Sequence, residues 1–216
     1  YYIIGTPINW VASQITGYLG GLDRSQLLFY GAIIGILSSI DYGGAINKVV
    51  FAFVFTLFSE QIYEPITVLI LASMVTPFGL TMAYFIGKVF GKNIFNKQEV
   101  ETLKTAFPMG VCQITEGCFP IVLNDLFKNV IATGVGGAVG GALSMLWGAD
   151  SHIPASGMFA VFTMTRPWAF IGALLLGSLA TAITILILRP QVDPEAEVVI
   201  QEVEEDELSW DDLKIS

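Results

Sequence analysis

One carboxylate stands where a carboxylate is expensive. In Ile114-Thr115-Glu116-Gly117-Cys118-Phe119-Pro120, Glu116 lies in an apolar stretch interrupted by Pro108, Gly110, Gly117 and Pro120. An acid at membrane depth is costly, so its default reading is functional. Ionised, it accepts hydrogen bonds from two adjacent hydroxyls of a solute, or polarises one of them as a general base. Thr115 adds a hydroxyl and Gln113 an amide. The glycines and prolines keep the stretch from being one simple helix. Asp125 follows beside Lys128, where a surface cap is the plainer reading.

A second polar group interrupts another apolar region at Asp41-Tyr42-Gly43-Gly44-Ala45-Ile46-Asn47-Lys48. Asp41 and Lys48 carry opposite charges that can neutralise each other inside apolar flanks. Gly43 and Gly44 let the backbone turn and approach a ligand closely. His152, in Asp150-Ser151-His152-Ile153-Pro154, is a further candidate because imidazole hydrogen-bonds polar solutes and titrates near neutral pH. Cys112 and Cys118 are the only cysteines, and their spacing matches no metal or redox motif. No metal site and no cofactor is expected.

The elements that must position these groups are membrane helices. The chain is 54% hydrophobic and only 13% charged, about half the charged share of a soluble domain. Apolar stretches at 65–87, 129–149 and 168–188 are long enough to cross a bilayer. Residues 25–40 and 49–58 are too short, and the first polar motif separates them. A short run, a polar break and a short run make a re-entrant hairpin or discontinuous helix. The 105–123 stretch around Glu116 has the same character. The expected fold is therefore an all-α membrane protein. It combines spanning helices with two re-entrant or discontinuous helical hairpins that carry the substrate motifs.

Residues 88–104 hold Lys88, Lys92, Lys97 and Lys104 and read as a cytoplasmic loop by the positive-inside rule. From that anchor the Glu116 segment enters and leaves on the cytoplasmic side. The 25–58 hairpin enters from the opposite side, so the two tips would meet near the midplane. Gly136, Gly137, Gly140 and Gly141 form two overlapping GxxxG spacings for close helix packing. Residues 150–167 read as a polar, proline-punctuated loop, and residues 1–20 as a partly polar interfacial stretch. The expected membrane body is 1–190. The tail, 191–216, carries ten acidic residues and one lysine, against a whole-chain net charge of −9, and reads as a disordered cytoplasmic segment. No clustered Lys and Arg mark a nucleic-acid surface. The start at Tyr1-Tyr2-Ile3-Ile4 suggests part of a longer protein. On the residues alone, an ion-coupled secondary transporter with Glu116 as its proton or cation site stays open.

Three blocks resemble a known family. Residues 41–48 are similar to Asp-Met-Gly-Gly-Pro-Val-Asn-Lys, and 114–120 to Ile-Thr-Glu-Gly-Ala-Ile-Pro. Val130-Ile131 with the Gly-Gly-Ala-Leu-Ser-Met run at 140–145 resembles the helix that follows. The family is the membrane permease subunit, enzyme IIC, of the bacterial phosphoenolpyruvate-dependent sugar phosphotransferase system, fructose-like branch. The chain departs from it at Ala45, Gln113 and Leu126, and at Pro154-Ala155-Ser156-Gly157-Met158 where Pro-His-Gly-Gly is common. The resemblance implies the C-terminal part of a IIC domain, in a multi-pass, homodimeric inner-membrane protein with a cytoplasmic C-terminus. It implies a fructose-like sugar, whose hydroxyl Glu116 orients towards a phosphorylated IIB domain. Asp41, Gly43, Gly44, Asn47, Lys48 and Thr115 are implied around the sugar, with His152 a further candidate. The chain would be the membrane component of a sugar phosphotransferase with no phosphorylated residue of its own. Cys112 and Cys118, in a membrane segment, are not the phosphocysteine.

Overall fold

A computed structural model describes residues 23–192. The interfacial stretch expected at 1–20 and the acidic tail beyond Val192 lie outside the described residues. The described chain forms α1 (Arg24–Ser39), α2 (Ala45–Ser59), α3 (Glu64–Val89), α4 (Lys97–Val111), α5 (Phe119–Asn124), α6 (Leu126–Trp147) and α7 (Pro167–Leu188). Two 3₁₀ segments, Glu116–Cys118 and Gly157–Thr163, interrupt them, and no strand occurs among the described residues. This is the all-α membrane architecture that the apolar runs imply.

Three helices, α3, α6 and α7, are long and apolar enough to span a bilayer. Their surroundings differ. In its most apolar stretch α3 is 83% buried by the protein itself, so its all-round hydrophobicity faces other helices. The same measure is 39% for α7, which leaves Leu175, Leu176, Ile183 and Ile187 facing outward. Those side chains suit a lipid environment.

Glycines set the spacing of the bundle at α6. Gly137 and Gly141 face Gly35 and Gly31 of α1, backbone against backbone, while Gly136 and Gly140 face Gly177 of α7. The overlapping GxxxG pairs thus serve two partners from one helix. A Cβ on Gly137 would overlap the Ser39 hydroxyl and the Gly35 carbonyl. Gly137→Val should therefore push α1 away and destabilise the bundle by about 3 kcal/mol, the upper end for overpacking. The exposed neighbour Val135 tolerates Leu, and thermal melts of both variants in detergent separate the two cases.

These contacts fix direction. α6 runs antiparallel to α1, since Gly31 meets Gly141 and Gly35 meets Gly137, and antiparallel to α7. Gly79 meets Thr181 and Gly87 meets Leu186, so α3 and α7 run parallel. The bundle consequently has one end where α3 and α7 finish and α6 begins. Lys88, Lys92, Lys97 and Lys128 lie there, and it is called the lysine end below.

The α1–α2 hairpin enters from the other end. α1 stops inside the bundle, where the Tyr42 hydroxyl lies 2.8 Å from that of Thr133. Thr133 is about 10 Å along α6 from its lysine-end start. α2 then returns, burying Val50 and Val54 in a cluster with Ile66 and Leu69, near the start of α3. The Glu116 hairpin does the opposite. α4 leaves the lysine end, packs Phe107 on Phe78 at 4.9 Å and brings Gly110 onto Pro77. After the break, α5 carries the chain back until the Asn124 amide donates to Glu99, at the start of α4, at 3.2 Å.

Two expectations need correction, and the later loop does more than connect two helices. Half of the predicted lysine loop is helix: the Asn96 side-chain oxygen accepts from the Glu99 N–H, the Glu99 carboxylate accepts from the Asn96 N–H, and this capping box starts α4 early. Pro108 does not break the Glu116 segment but stays inside α4, and the break falls at 112–115, where Gln113 has φ +66°. The 150–166 loop, much of it exposed, reaches inward at one point. Its Gly157, at φ +57°, reaches the break, where a Cβ would overlap the Val111 carbonyl.

Candidate functional site

The first hairpin tip is organised by Asp41. Its carboxylate accepts from the Ile46 N–H at 2.6 Å and the Asn47 N–H at 3.3 Å. These are free donors in the first turn of α2, and a negative group there also suits the helix dipole. Asp41 is thus committed to starting α2. The expected pairing with Lys48 is not formed, and Lys48 makes no ion pair among the described residues. Gly44 is the residue over which the Asp41 carboxylate folds, leaving no room for a Cβ. Gly43, at φ +94°, forms the apex of the tip.

The second tip is built on a proline. Pro77 has no N–H, so the Ser73 carbonyl one turn earlier in α3 loses its helical donor. The Thr115 hydroxyl donates to that carbonyl at 3.2 Å, and Thr115 is itself buried. Gly110 rests on the Pro77 ring. The proline therefore supplies both a free acceptor and a smooth surface for the tip. Gln113 fixes the other side: its side-chain oxygen accepts from the N–H groups of Ser156 and Gly157, both at 3.1 Å.

Between the tips lies Glu116. It begins the 3₁₀ turn after Thr115, and its Oε1 sits 3.2 Å from where a Gly43 Cβ would be. The two hairpins meet at this point, as their opposed entries require. Glu116 is exposed rather than enclosed by the described residues, as are Ile114 and Phe119 beside it. The expected expensive buried acid is thus a presented one, with its carboxylate open to a ligand. Any side chain at residue 43 would crowd that carboxylate.

The structure brings together Gly43 and Glu116, with Asp41, Gly44 and Asn47 on the same tip as Gly43 and Thr115 beside Glu116. It does not bring in His152. The His152 ring packs on Tyr63 at 4.4 Å, with Nδ1 2.7 Å from the Thr163 carbonyl. Tyr63 precedes α3 and lies about 15 Å along that helix axis from Ser73, where Thr115 docks. Asp125 pairs with Lys128 at 2.6 Å at the lysine end, and its side chain makes no capping bond. Sequence reasoning missed the loop-clamping role of Gln113. A long amide beside the break was a signal, but the positive φ at Gln113 cannot be read from the residue type.

A cluster at the lysine end also went unread. Arg189 and Glu99 form an ion pair at 3.0 Å with both side chains 5% exposed. Arg189 further donates to the Ile121 carbonyl at 3.0 Å and to the Ile94 carbonyl at 3.4 Å, and stacks over Phe95. Buried Asn129 donates to the carbonyls of Ile121, Val122 and Asp125. The free carbonyls at the end of short α5 are thereby met by side-chain donors.

Fold and site together define an all-α membrane protein organised around two opposed re-entrant hairpins. Known proteins show what the chain is similar to. The chain is 31% identical over 194 residues to the fructose-specific EIIB'BC component of the PTS system of Haemophilus influenzae, covering 90% of this chain and 34% of that protein. It is 32% identical to the fructose-specific EIIC component of Haloferax volcanii, over 89% of this chain and 50% of that one. It is 28% identical to the fructose permease IIC component of Bacillus amyloliquefaciens, over 89% of this chain and 62% of that one. The chain is a relative of the IIC portion of fructose-type permeases of the phosphotransferase system. It spans a third to about three fifths of the length of these relatives. No protein-family model matches the chain, and no solved structure does.

Proposed function

We propose that this chain forms part of a permease that carries a fructose-like sugar across the bacterial inner membrane and presents one hydroxyl for phosphorylation. The observation that carries this reading is the meeting of the two tips: the Glu116 carboxylate lies open beside Gly43, where the two hairpins meet. A carboxylate there accepts hydrogen bonds from neighbouring hydroxyls and holds one in a fixed direction. Asn47 adds an amide on the facing tip. Phosphoryl transfer depends mainly on positioning and electrostatics, so an aligned acceptor is what this side must supply.

The donor is a phosphorylated IIB domain, in keeping with the fused EIIB'BC names of the relatives. It approaches from the lysine end, whose excess of basic residues supports a cytoplasmic position for that end. The assembly is a homodimer, and this chain contributes no phosphorylated residue. One relative is named for a mannosyl glycerate, so the sugar class extends beyond fructose.

The chemical form of the delivered solute tests the reading. In cells expressing the full permease, labelled fructose should arrive as a phosphate ester. Uptake should stop when phosphoenolpyruvate-linked phosphorylation is removed. Delivery of unmodified sugar along an ion gradient would instead assign Glu116 to ion coupling.

A further inference from the structure

We infer that Arg189 is a positioning residue for Glu116, holding both limbs of its hairpin from the end of the last spanning helix. The inference rests on the proposed role of Glu116, although its test does not require sugar.

Arg189 is the first residue after α7, and its guanidinium turns inward. One arm holds Glu99, in the first turn of α4, the outgoing limb. The other holds the Ile121 carbonyl in α5, the returning limb. Glu99 also accepts from Asn124 at the end of α5, so the two limbs and α7 share one cluster. The tip is pinned about 18 Å further along α4, at Pro77, Ser73 and Gln113. With its base fixed, the hairpin keeps one tilt about the Pro77 contact. With its base free, small rotations there become larger displacements of the base and strain the tip contacts that present Glu116.

The chemistry demands arginine. A planar fork serves a carboxylate and separate carbonyls at once, whereas an ammonium is a point donor. Removing one partner of a buried pair leaves the other charge uncompensated. A cavity of about 290 Å³, lined in part by Glu99, Asn124, Asp125 and Arg189, adjoins the cluster. Water can enter it and solvate the groups that a shortened side chain leaves behind, so a substituted chain should still fold.

The test uses the full permease in membranes, with Cys112→Ser and Cys118→Ala, and spin labels at Ile46→Cys and Phe119→Cys. Both labelled positions are exposed, one on each hairpin. The parent should give a narrow distance distribution. Arg189→Gln should broaden and shift it, and raise the KM for sugar uptake about tenfold with a smaller change in maximal rate. Arg189→Lys should restore part of both. If Arg189→Gln does not accumulate, Glu99→Gln with Arg189→Gln removes both buried charges and is read the same way. An unchanged narrow distribution in either inserted variant overturns the inference. A shifted distribution in a protein that transports normally after Glu116→Gln leaves the positioning intact and removes the sugar role.

Discussion

Glu116→Gln should reduce sugar uptake by about a hundredfold or more while the protein stays inserted and folded. The fold survives because the Glu116 carboxylate is presented to open space, with no ion pair among the described residues to break. Activity falls for two reasons. A hydrogen bond to a charged acceptor contributes about 1.5–3 kcal/mol, and the amide offers one weaker oxygen and an unwanted donor. An acceptor hydroxyl held in the wrong direction also loses alignment with the phosphoryl donor. Glu116→Asp keeps the charge but withdraws it from Gly43, and should fall between the two. Vesicle uptake with a purified, phosphorylated donor measures all three proteins. Uptake by Glu116→Gln within a few-fold of the parent would remove Glu116 from the site. Gly43→Ala supplies an independent reading, because its Cβ would sit 3.2 Å from the same carboxylate in a backbone conformation that disfavours it.

Much of this arrangement was legible because bilayer thickness turns run length into topology. α1 and α2 have 16 and 15 residues, about 24 and 22 Å, which is too short to span about 30 Å of hydrocarbon. Two short apolar runs around a polar break must therefore turn back, and they do. By the same measure the Glu116 hairpin falls on the opposite side. The meeting of Gly43 with Glu116 then followed from the motifs at the two tips.

What stayed hidden depends on backbone geometry that residue type does not report. Pro108 and Pro77 look alike in sequence, yet only Pro77 offers a docking surface, because Gly110 and Thr115 come to it from another segment. Asp41 and Lys48 suggested a charge pair. The N–H groups of Ile46 and Asn47 won because they are local and already ordered by the helix. Arg189 directly follows a spanning helix, where a long cation usually reaches towards head groups. It turns inward because Glu99 and the α5 carbonyls are buried polar groups that need a donor. The 150–167 segment read as a polar, proline-punctuated loop, with no sign of what its backbone would bond. Its polar backbone is satisfied inside by Thr67 and Gln113, which lie far away in sequence.

Thr115→Val should cost sugar uptake about tenfold to a hundredfold, although Thr115 spends its hydroxyl on Ser73 rather than on the solute. Valine has nearly the same shape, so what is lost is the hydrogen bond. The Ser73 carbonyl, already without a helical donor opposite Pro77, is then buried and unsatisfied at a cost of about 1–3 kcal/mol. The tip that carries Glu116 relaxes to escape that cost. Thr115→Ser retains the donor and should retain uptake. Pro77→Ala separates this explanation from direct sugar binding by Thr115. An alanine at residue 77 restores an N–H that donates to the Ser73 carbonyl, so the acceptor no longer needs Thr115. In that background Thr115→Val should add little, a large non-additivity for residues that share one acceptor. If Thr115→Val costs as much in the Pro77→Ala background as it does beside the native proline, its hydroxyl acts on the sugar itself. Uptake and binding measured on the four proteins of the cycle decide between a threonine that touches the solute and one that holds its neighbour in place.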